Sequence, residues 1–133
     1  MNGYNYDGFS TGDYNFEDVV GPVVGDKAPS FQLMTTDGET KDLFDFSGKF
    51  LVLEMGSITC PLFQSRRTIM EPLDEIEGVS AAVLYVREAH PGAMIQSHKS
   101  FAEKAACAAR LKDQDGETRT VFVDALDGRA HEA

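Results

Sequence analysis

The chain carries one cysteine at a position where a fold can use it as a nucleophile. Cys60 follows an apolar segment and a short polar turn, and it directly precedes Pro61. Proline is favoured at the first position of a helix, because its missing N–H costs little there and its φ already suits a helix. Cys60 is therefore predicted to lie at a helix start, where unpaired N–H groups and the positive end of the helix dipole favour a thiolate over a thiol.

A carboxylate and an imidazole follow the second apolar segment of the chain, which ends at Val86. These two side chains, Glu88 and His90, lie far from Cys60 in sequence. If both apolar segments are parallel strands, the residues that follow them emerge at the same edge of the sheet. Glu88 and His90 are then expected near Cys60, where either could deprotonate the thiol, protonate a leaving group or bind a substrate. The alternatives are a solvated loop histidine and a surface ion pair of Glu88.

Three other polar side chains have structural explanations beside their functional ones. Ser57 and Thr59 precede Cys60 and could simply satisfy backbone groups of the turn. Cys107 lies in an alanine-rich segment, where a cysteine usually acts as a small apolar side chain. It is also the only other thiol in the chain that could pair with Cys60.

The apolar pattern predicts the elements that would position these residues. Asp37-Gly38 is a strong turn signal between two short strand-like segments, which indicates a β-hairpin. The later predicted elements are a strand at 49–55, a helix at 61–76 that is bent or interrupted before Pro72, a strand at 79–86, a helix at 96–111 and a strand at 120–124. A strand, a helix and a strand in this order predict a right-handed parallel crossover and an α/β fold.

Length, composition and charge limit the possible functions. The 133 residues suffice for one domain, and residues 1–24 lack any helical or strand period, which predicts a flexible acidic arm before a domain at 25–133. The net charge of −10 disfavours nucleic acid and anionic membrane surfaces as partners. No apolar run reaches the ~18 residues of a spanning helix, and the start of the chain lacks a signal-peptide pattern. A cytoplasmic location is therefore expected.

The sparse cysteines and histidines do not predict a metal centre. Cys60 and Cys107 match no zinc or haem spacing, and so few cysteines suit a reducing compartment. His98 and His131 show no partner pattern either. No bound metal is therefore expected.

Two separate motifs are similar to the signatures of one protein family. The segment from Gly56 to Phe63, Gly-Ser-Ile-Thr-Cys-Pro-Leu-Phe, resembles the Gly-Ser-x-Thr-Sec-Pro-Pro-Phe signature of the iodothyronine deiodinases and their microbial relatives, with cysteine in place of selenocysteine. The segment from Tyr85 to His90, Tyr-Val-Arg-Glu-Ala-His, resembles the second signature of that family, Tyr-Ile-x-Glu-Ala-His. The segments 25–31 and 121–124 are similar to peroxiredoxin-like thioredoxin folds, so the resemblance extends from about Gly21 to the end of the chain.

This resemblance implies a thioredoxin-like fold in which Cys60 attacks the substrate while Glu88 and His90 assist proton transfer or substrate binding. Four further residues of the first motif are expected to bind substrate or to support the site: Ser57, Thr59, Pro61 and Phe63. The expected partners are a small-molecule substrate and an external thiol reductant, with no bound cofactor.

The chain also departs from the pattern of that family. Ile58 stands where the family has a second cysteine, and the chain contains no tryptophan after the second motif. Thioredoxin-like proteins of this type continue past the strand at 120–124 into a cis-proline loop, two strands and a helix. We therefore expect the C-terminal ββα portion to be missing from this chain or supplied by another one. A sheet edge left exposed in this way favours a homo-oligomer.

Two other functions fit parts of the pattern. One is a one-cysteine peroxiredoxin, in which Thr or Ser stands three residues before the reactive cysteine, as Ser57 does here. Arg66 or Arg67 could be its arginine, but Leu53 stands where a peroxiredoxin has proline. A truncated thioredoxin fold that serves only as a binding module is the non-enzymatic alternative. A thioredoxin-type disulfide exchanger is disfavoured because Phe63 occupies the position of the partner cysteine.

Overall fold

A single mixed sheet forms the centre of the molecule. The computed structural model describes residues 3–13, 15, 17, 18 and 21–133. Within this part of the chain, the strands are β1 (Gln32–Thr35), β2 (Thr40–Asp42), β3 (Phe50–Gly56), β4 (Val79–Tyr85) and β5 (Thr120–Val123). They lie in the order β2-β1-β5-β4-β3. The helices are α1 (Pro61–Met70) and α2 (Phe101–Asp113), and 3₁₀ turns cover Thr11–Asp13 and Glu71–Glu75.

The parallel core predicted from the apolar segments is present. Strands β3, β4 and β5 are parallel, and Gly56 at the end of β3 is in register with Tyr85 at the end of β4. The N–H of Val86 donates to the carbonyl of Gly56 at 3.0 Å. The turn that follows β3 and the loop that follows β4 therefore begin side by side.

The predicted hairpin is also present, at one side of the sheet. Strands β1 and β2 are antiparallel and flank a turn in which Gly38 has a φ of +80°. β1 continues the sheet by pairing antiparallel with β5. Together with the parallel core and the two helices, this arrangement is a thioredoxin-like α/β fold.

Both helices differ from their predicted bounds for local reasons. The predicted helix at 61–76 ends as an α-helix at Met70, and a 3₁₀ turn containing Pro72 follows. Proline has no N–H for the helical ladder and disfavours the α conformation of the residue before it. The second helix begins at Phe101 instead of residue 96, because the Ser100 side chain accepts a hydrogen bond from Glu103 N–H and caps it.

Alternate residues of β4 pack on opposite faces of the sheet. Ala82 and Leu84 belong to one apolar cluster, and Val83 and Tyr85 belong to the other. The second cluster includes residues of both helices: Phe63, Ala108 and Leu111. Both faces of the sheet are therefore covered, as expected for parallel strands. Within the described residues, neither helix is long and apolar enough to span a bilayer.

Candidate active site

Cys60 occupies the N-cap position of α1, with Pro61 as the first helical residue. Its N–H donates to the Ser57 carbonyl at 3.1 Å, and its own carbonyl accepts from Gln64 N–H at 3.0 Å. The side chain is half-buried and free of any disulfide. The predicted placement of this thiol at a helix start is thus found in the structure.

Glu88 holds the residue that precedes Cys60. One carboxylate oxygen of Glu88 accepts two hydrogen bonds from Thr59, from its N–H at 3.2 Å and from its hydroxyl at 2.6 Å. Glu88 is buried, so solvent competes little for these contacts. The loop after β4 and the turn after β3 are therefore joined by a charged group, as the parallel arrangement predicted.

The other carboxylate oxygen of Glu88 faces two more donors. The Tyr85 hydroxyl donates to it and accepts a hydrogen bond from Ile58 N–H, and His98 Nε2 lies 3.0 Å away. Burial raises the pKa of Glu88, but the hydrogen bonds from His98, Thr59 and Tyr85 outweigh burial and hold that pKa below its usual value. Glu88 is therefore a carboxylate at neutral pH, and His98 donates its Nε2 proton to it.

The structure places His90 and His98 differently with respect to Glu88. The N–H of His90 donates to the Thr59 hydroxyl oxygen at 3.1 Å, but its ring is on the surface and packs on Phe9 at a centroid distance of 4.2 Å. His98, for which the sequence shows no partner pattern, is buried, and its Nε2 lies 3.0 Å from the Glu88 carboxylate. No residue spacing in the sequence indicates this contact, because the irregular loop between β4 and α2 brings His98 back to Glu88.

The remaining residues of the first motif act mainly through packing and backbone contacts. The Ser57 hydroxyl oxygen accepts from Ala89 N–H at 3.1 Å, which joins the two loops a second time. Pro61 is exposed at the first position of α1. The ring of Phe63 lies so close to Gly56 that a Cβ built there would be 2.2 Å from it. These contacts fix the direction in which α1 leaves the sheet.

Cys60 borders a cavity of about 340 Å³ at the end of β3 and β4. The cavity is lined by Met55, Gly56, Ser57, Cys60, Val86, Arg87, Ala89 and His131. Its charged or titratable side chains besides Cys60 are Arg87 and His131, neither of which the sequence indicated as a site residue. Glu88 and His90 are not among the lining residues.

Residues 3–9, which the composition assigns to a flexible arm, contact this side of the domain. Tyr6 is buried, and its hydroxyl donates to the Ala89 carbonyl at 2.8 Å. Asp7 accepts hydrogen bonds from Ser97 and Lys99, the residues on either side of His98, both at 2.5 Å. The segment therefore covers the loop that carries Glu88, His90 and His98. No period or motif in residues 3–9 signals this contact.

Cys107 lies on α2 next to the Glu88 cluster. Burial, and then the negative charge of Glu88, raise the pKa of the Cys107 thiol. One potential metal-ligating atom from each of Glu88, His98 and Cys107 lies within 4.8 Å of the other two. The hydrogen bonds from Thr59, Tyr85 and His98 already occupy both oxygens of Glu88, so we assign these residues to a hydrogen-bond network.

The two arginines considered for a peroxidase site are both paired with carboxylates. Arg66 pairs with Glu54 at 2.9 Å, and Arg67 pairs with the fully buried Glu117 at 3.0 Å. These ion pairs give Arg66 and Arg67 a structural role. Arg87 is the guanidinium that borders the cavity of Cys60.

Comparison with known protein families gives a match over most of the chain. The sequence model of the iodothyronine deiodinase family matches residues 14–133, a range that includes both the turn with Cys60 and the loop with Glu88. No curated protein shows significant sequence similarity to the chain.

Proposed function

The chain belongs to the iodothyronine deiodinase family, and we propose that it is a thiol-dependent oxidoreductase in which Cys60 removes a halogen from a small organic substrate. One observation carries this proposal: the half-buried Cys60 thiol lies at the start of α1 and borders a cavity of about 340 Å³. A nucleophile needs both an environment that favours the thiolate and room for the substrate beside it.

The chemistry starts with attack of the Cys60 thiolate on the halogen of a carbon–iodine bond. A sulfur–iodine bond forms as the carbon–iodine bond breaks, and the electron pair left on carbon takes a proton from water. Cys60 is then oxidised to a sulfenyl iodide. An external thiol attacks the sulfur and releases iodide, and a second thiol releases Cys60 as the thiolate. The net reaction converts the organic iodide and two thiols into the dehalogenated product, iodide, a proton and a disulfide.

Glu88 acts in this proposal as a positioning residue. Its carboxylate is a hydrogen-bond acceptor for Thr59, Tyr85 and His98, and it is ionised at neutral pH, so it does not supply a proton to the product. Its contribution is to hold the turn in front of Cys60 against the loop that lines the cavity. Fixed geometry of this kind keeps a nucleophile aligned with its substrate.

The reductant is proposed to be an external thiol. Ile58 and Phe63 occupy the nearby positions at which related redox sites carry a second cysteine. The other thiol, Cys107, is half-buried beside Glu88. Burial and the charge of Glu88 raise its pKa, which favours the less reactive thiol form. A mixed disulfide on Cys60 would therefore be reduced by a thiol from solution.

Iodide release from an iodinated phenol, with dithiothreitol as reductant, tests this function. The full chain is expected to release iodide, Cys60→Ser is expected to abolish release, and Cys107→Ser is expected to retain most of it. Consumption of hydrogen peroxide is measured in parallel. Peroxide turnover without iodide release would support the peroxiredoxin alternative, and the absence of both activities would support a binding module.

We also propose that a second copy of the chain pairs with β3. This strand lies at the end of the described sheet, with β4 on one side only, and unpaired edges favour strand addition. Sedimentation equilibrium is expected to show a dimer. Phe50→Lys places a charge at an exposed position of this edge and is expected to shift the chain towards the monomer. A monomer at all protein concentrations would contradict this proposal.

A further inference from the structure

Cys60 closes a four-residue turn, and the middle of that turn is one peptide group. The N–H of Cys60 donates to the Ser57 carbonyl at 3.1 Å, so the central residues of the turn are Ile58 and Thr59. The two commonest kinds of turn differ chiefly in the direction in which the peptide between these two residues points. The direction of this central peptide therefore decides how the chain enters Cys60.

Two side chains bind the central peptide from opposite ends. Its N–H, which belongs to Thr59, donates to the Glu88 carboxylate at 3.2 Å. Its carbonyl, which belongs to Ile58, accepts from Nε2 of Gln64 at 3.2 Å. If the peptide flipped, its carbonyl would face the Glu88 carboxylate and both hydrogen bonds would be lost. Glu88 and Gln64 thus hold the peptide in one direction.

The amide of Gln64 is itself fixed in orientation. Its Oε1 accepts from Nη1 of Arg67 at 3.2 Å, and a guanidinium can only donate. The two N–H groups of the amide must therefore face the other way, one towards Ile58 and one towards the Asp115 carboxylate, which lies 3.0 Å from Nε2. All the hydrogen-bonding groups of this half-buried amide are in use.

Arg67, which orients that amide, belongs to a buried ion network. Its Nε pairs with Glu117 at 3.0 Å, and Glu117 pairs with Arg119 at 2.8 Å. Arg119 also pairs with Glu54 on β3 at 2.9 Å. Burial raises the pKa of Glu117, but the hydrogen bonds from Arg119 and Arg67 outweigh burial and hold that pKa below its usual value. The network is therefore charged at neutral pH, and it joins α1 to the sheet and to the loop before β5.

We propose that Gln64 is a positioning residue for Cys60, which transmits the rigidity of the buried ion network to the central peptide of the cysteine turn. The N–H of Gln64 also donates to the Cys60 carbonyl at 3.0 Å, so one residue holds both the start of α1 and the turn before it. The effect on turnover rests on the proposed function, but the effect on the thiol does not.

Hydrogen exchange of side-chain amides tests the geometry in the unaltered protein. The amide protons of Gln64 are expected to exchange more slowly with solvent than those of Gln32, which is exposed on β1. NMR spectra of the ¹⁵N-labelled full chain measure both rates. Equal rates would overturn the proposal without the need for any variant.

Gln64→Met keeps much of the side-chain volume but has no N–H to donate. It is expected to lower kcat for iodide release about tenfold and to leave KM within about twofold, because alignment of the nucleophile acts on the chemical step. Gln64→Glu retains an oxygen for Arg67 and also lacks the N–H donors, so it is expected to lower kcat as well. Gln32→Met is the matched control and is expected to change neither constant. A folded Gln64→Met protein with the kcat of the wild type would overturn the proposal.

A double-mutant cycle tests whether Arg67 acts through Gln64. Arg67→Lys keeps a positive charge beside Glu117 but removes the planar group that binds Gln64 as well. It is expected to lower kcat in the wild-type chain and to lower it no further in the Gln64→Met chain. Losses that simply multiply in the double variant would overturn the connection between the ion network and the turn.

Alkylation of Cys60 by iodoacetamide separates this proposal from the proposed function. The reaction needs the thiolate held at the helix start but no dehalogenation. Its rate is expected to fall in Gln64→Met and to stay unchanged in Gln32→Met. Slower alkylation of Gln64→Met in a chain that releases no iodide would support the positioning role and contradict the dehalogenation reaction. Equal alkylation rates in wild type and Gln64→Met would overturn the positioning role even if iodide is released.

Discussion

The carboxylate of Glu88 binds Thr59 twice through one oxygen, at 3.2 Å from the N–H and at 2.6 Å from the hydroxyl. Thr59 directly precedes Cys60, so a buried charge on the loop after β4 fixes the turn that carries the thiol. The Thr59 hydroxyl oxygen also accepts from His90 N–H. The Thr59 side chain thereby connects the two sequence motifs. Removing its hydroxyl tests how much this connection contributes to activity while the Cys60 thiol stays in place.

Thr59→Val is expected to lower iodide release about tenfold or more and to destabilise the fold by about 1–3 kcal/mol. The variant keeps the shape of the side chain but leaves one hydrogen bond to Glu88 and one from His90 unmade. Initial rates and urea unfolding give the two values. Thr118→Val, at an exposed loop position, is the control and is expected to change stability by less than about 0.5 kcal/mol. Equal effects of the two substitutions would show that the Thr59 hydroxyl has no special role.

Glu88→Gln is expected to change how stability depends on pH. The pKa of Glu88 is held below its usual value of 4.5 in the folded protein. The unfolded chain therefore takes up the proton first, so the stabilisation is present above pH 4.5 and is lost as the pH falls through the folded-state pKa. Unfolding free energies across the acid range should fall more steeply for the wild-type chain than for Glu88→Gln. Parallel curves would contradict an ionised Glu88.

Gly56→Ala is expected to destabilise the protein by about 1–3 kcal/mol and to reduce activity. A Cβ at this position would lie 2.2 Å from the Phe63 ring, so the start of α1 must move, and Cys60 moves with it. Thermal unfolding and iodide release provide the readouts. At Gly92 an added Cβ meets no atom within 4 Å, so Gly92→Ala is the matched control. A Gly56→Ala protein as stable and active as this control would contradict the close packing of α1 on the end of β3.

The parts of this site that the sequence predicted are those governed by local rules. An apolar segment, a turn and a proline at a helix start define where Cys60 lies, and two parallel strands bring Glu88 to it. The loop between β4 and α2 obeys no such rule, and for this reason the contact of His98 with Glu88 was missed. Arg87 and His131 were missed for the same reason. Both contact Tyr4, which lies near the start of the chain and far from each of them in sequence. Contacts between irregular segments that are distant in sequence leave no periodic pattern from which they could be predicted.

Cys107 is expected to react slowly with iodoacetamide at neutral pH. Burial and the charge of Glu88 raise its pKa, so little thiolate is present to attack the reagent. Peptide mapping by mass spectrometry after timed alkylation measures the rates at Cys60 and Cys107 in one sample. Cys60 should be labelled first. Faster labelling of Cys107 would contradict the raised pKa of this thiol and would support a role for Cys107 as the resolving thiol.

The most direct test follows the fate of the Cys60 sulfur during turnover. The reduced protein is mixed with an iodinated phenol and a limiting amount of 2-mercaptoethanol, and iodide and the Cys60 peptide are measured together. The proposed mechanism predicts that iodide appears together with a mixed disulfide on Cys60, and that both are absent when the substrate lacks iodine. Iodide release from the Cys60→Ser protein, or release that leaves Cys60 unmodified throughout, would show that this cysteine is not the nucleophile.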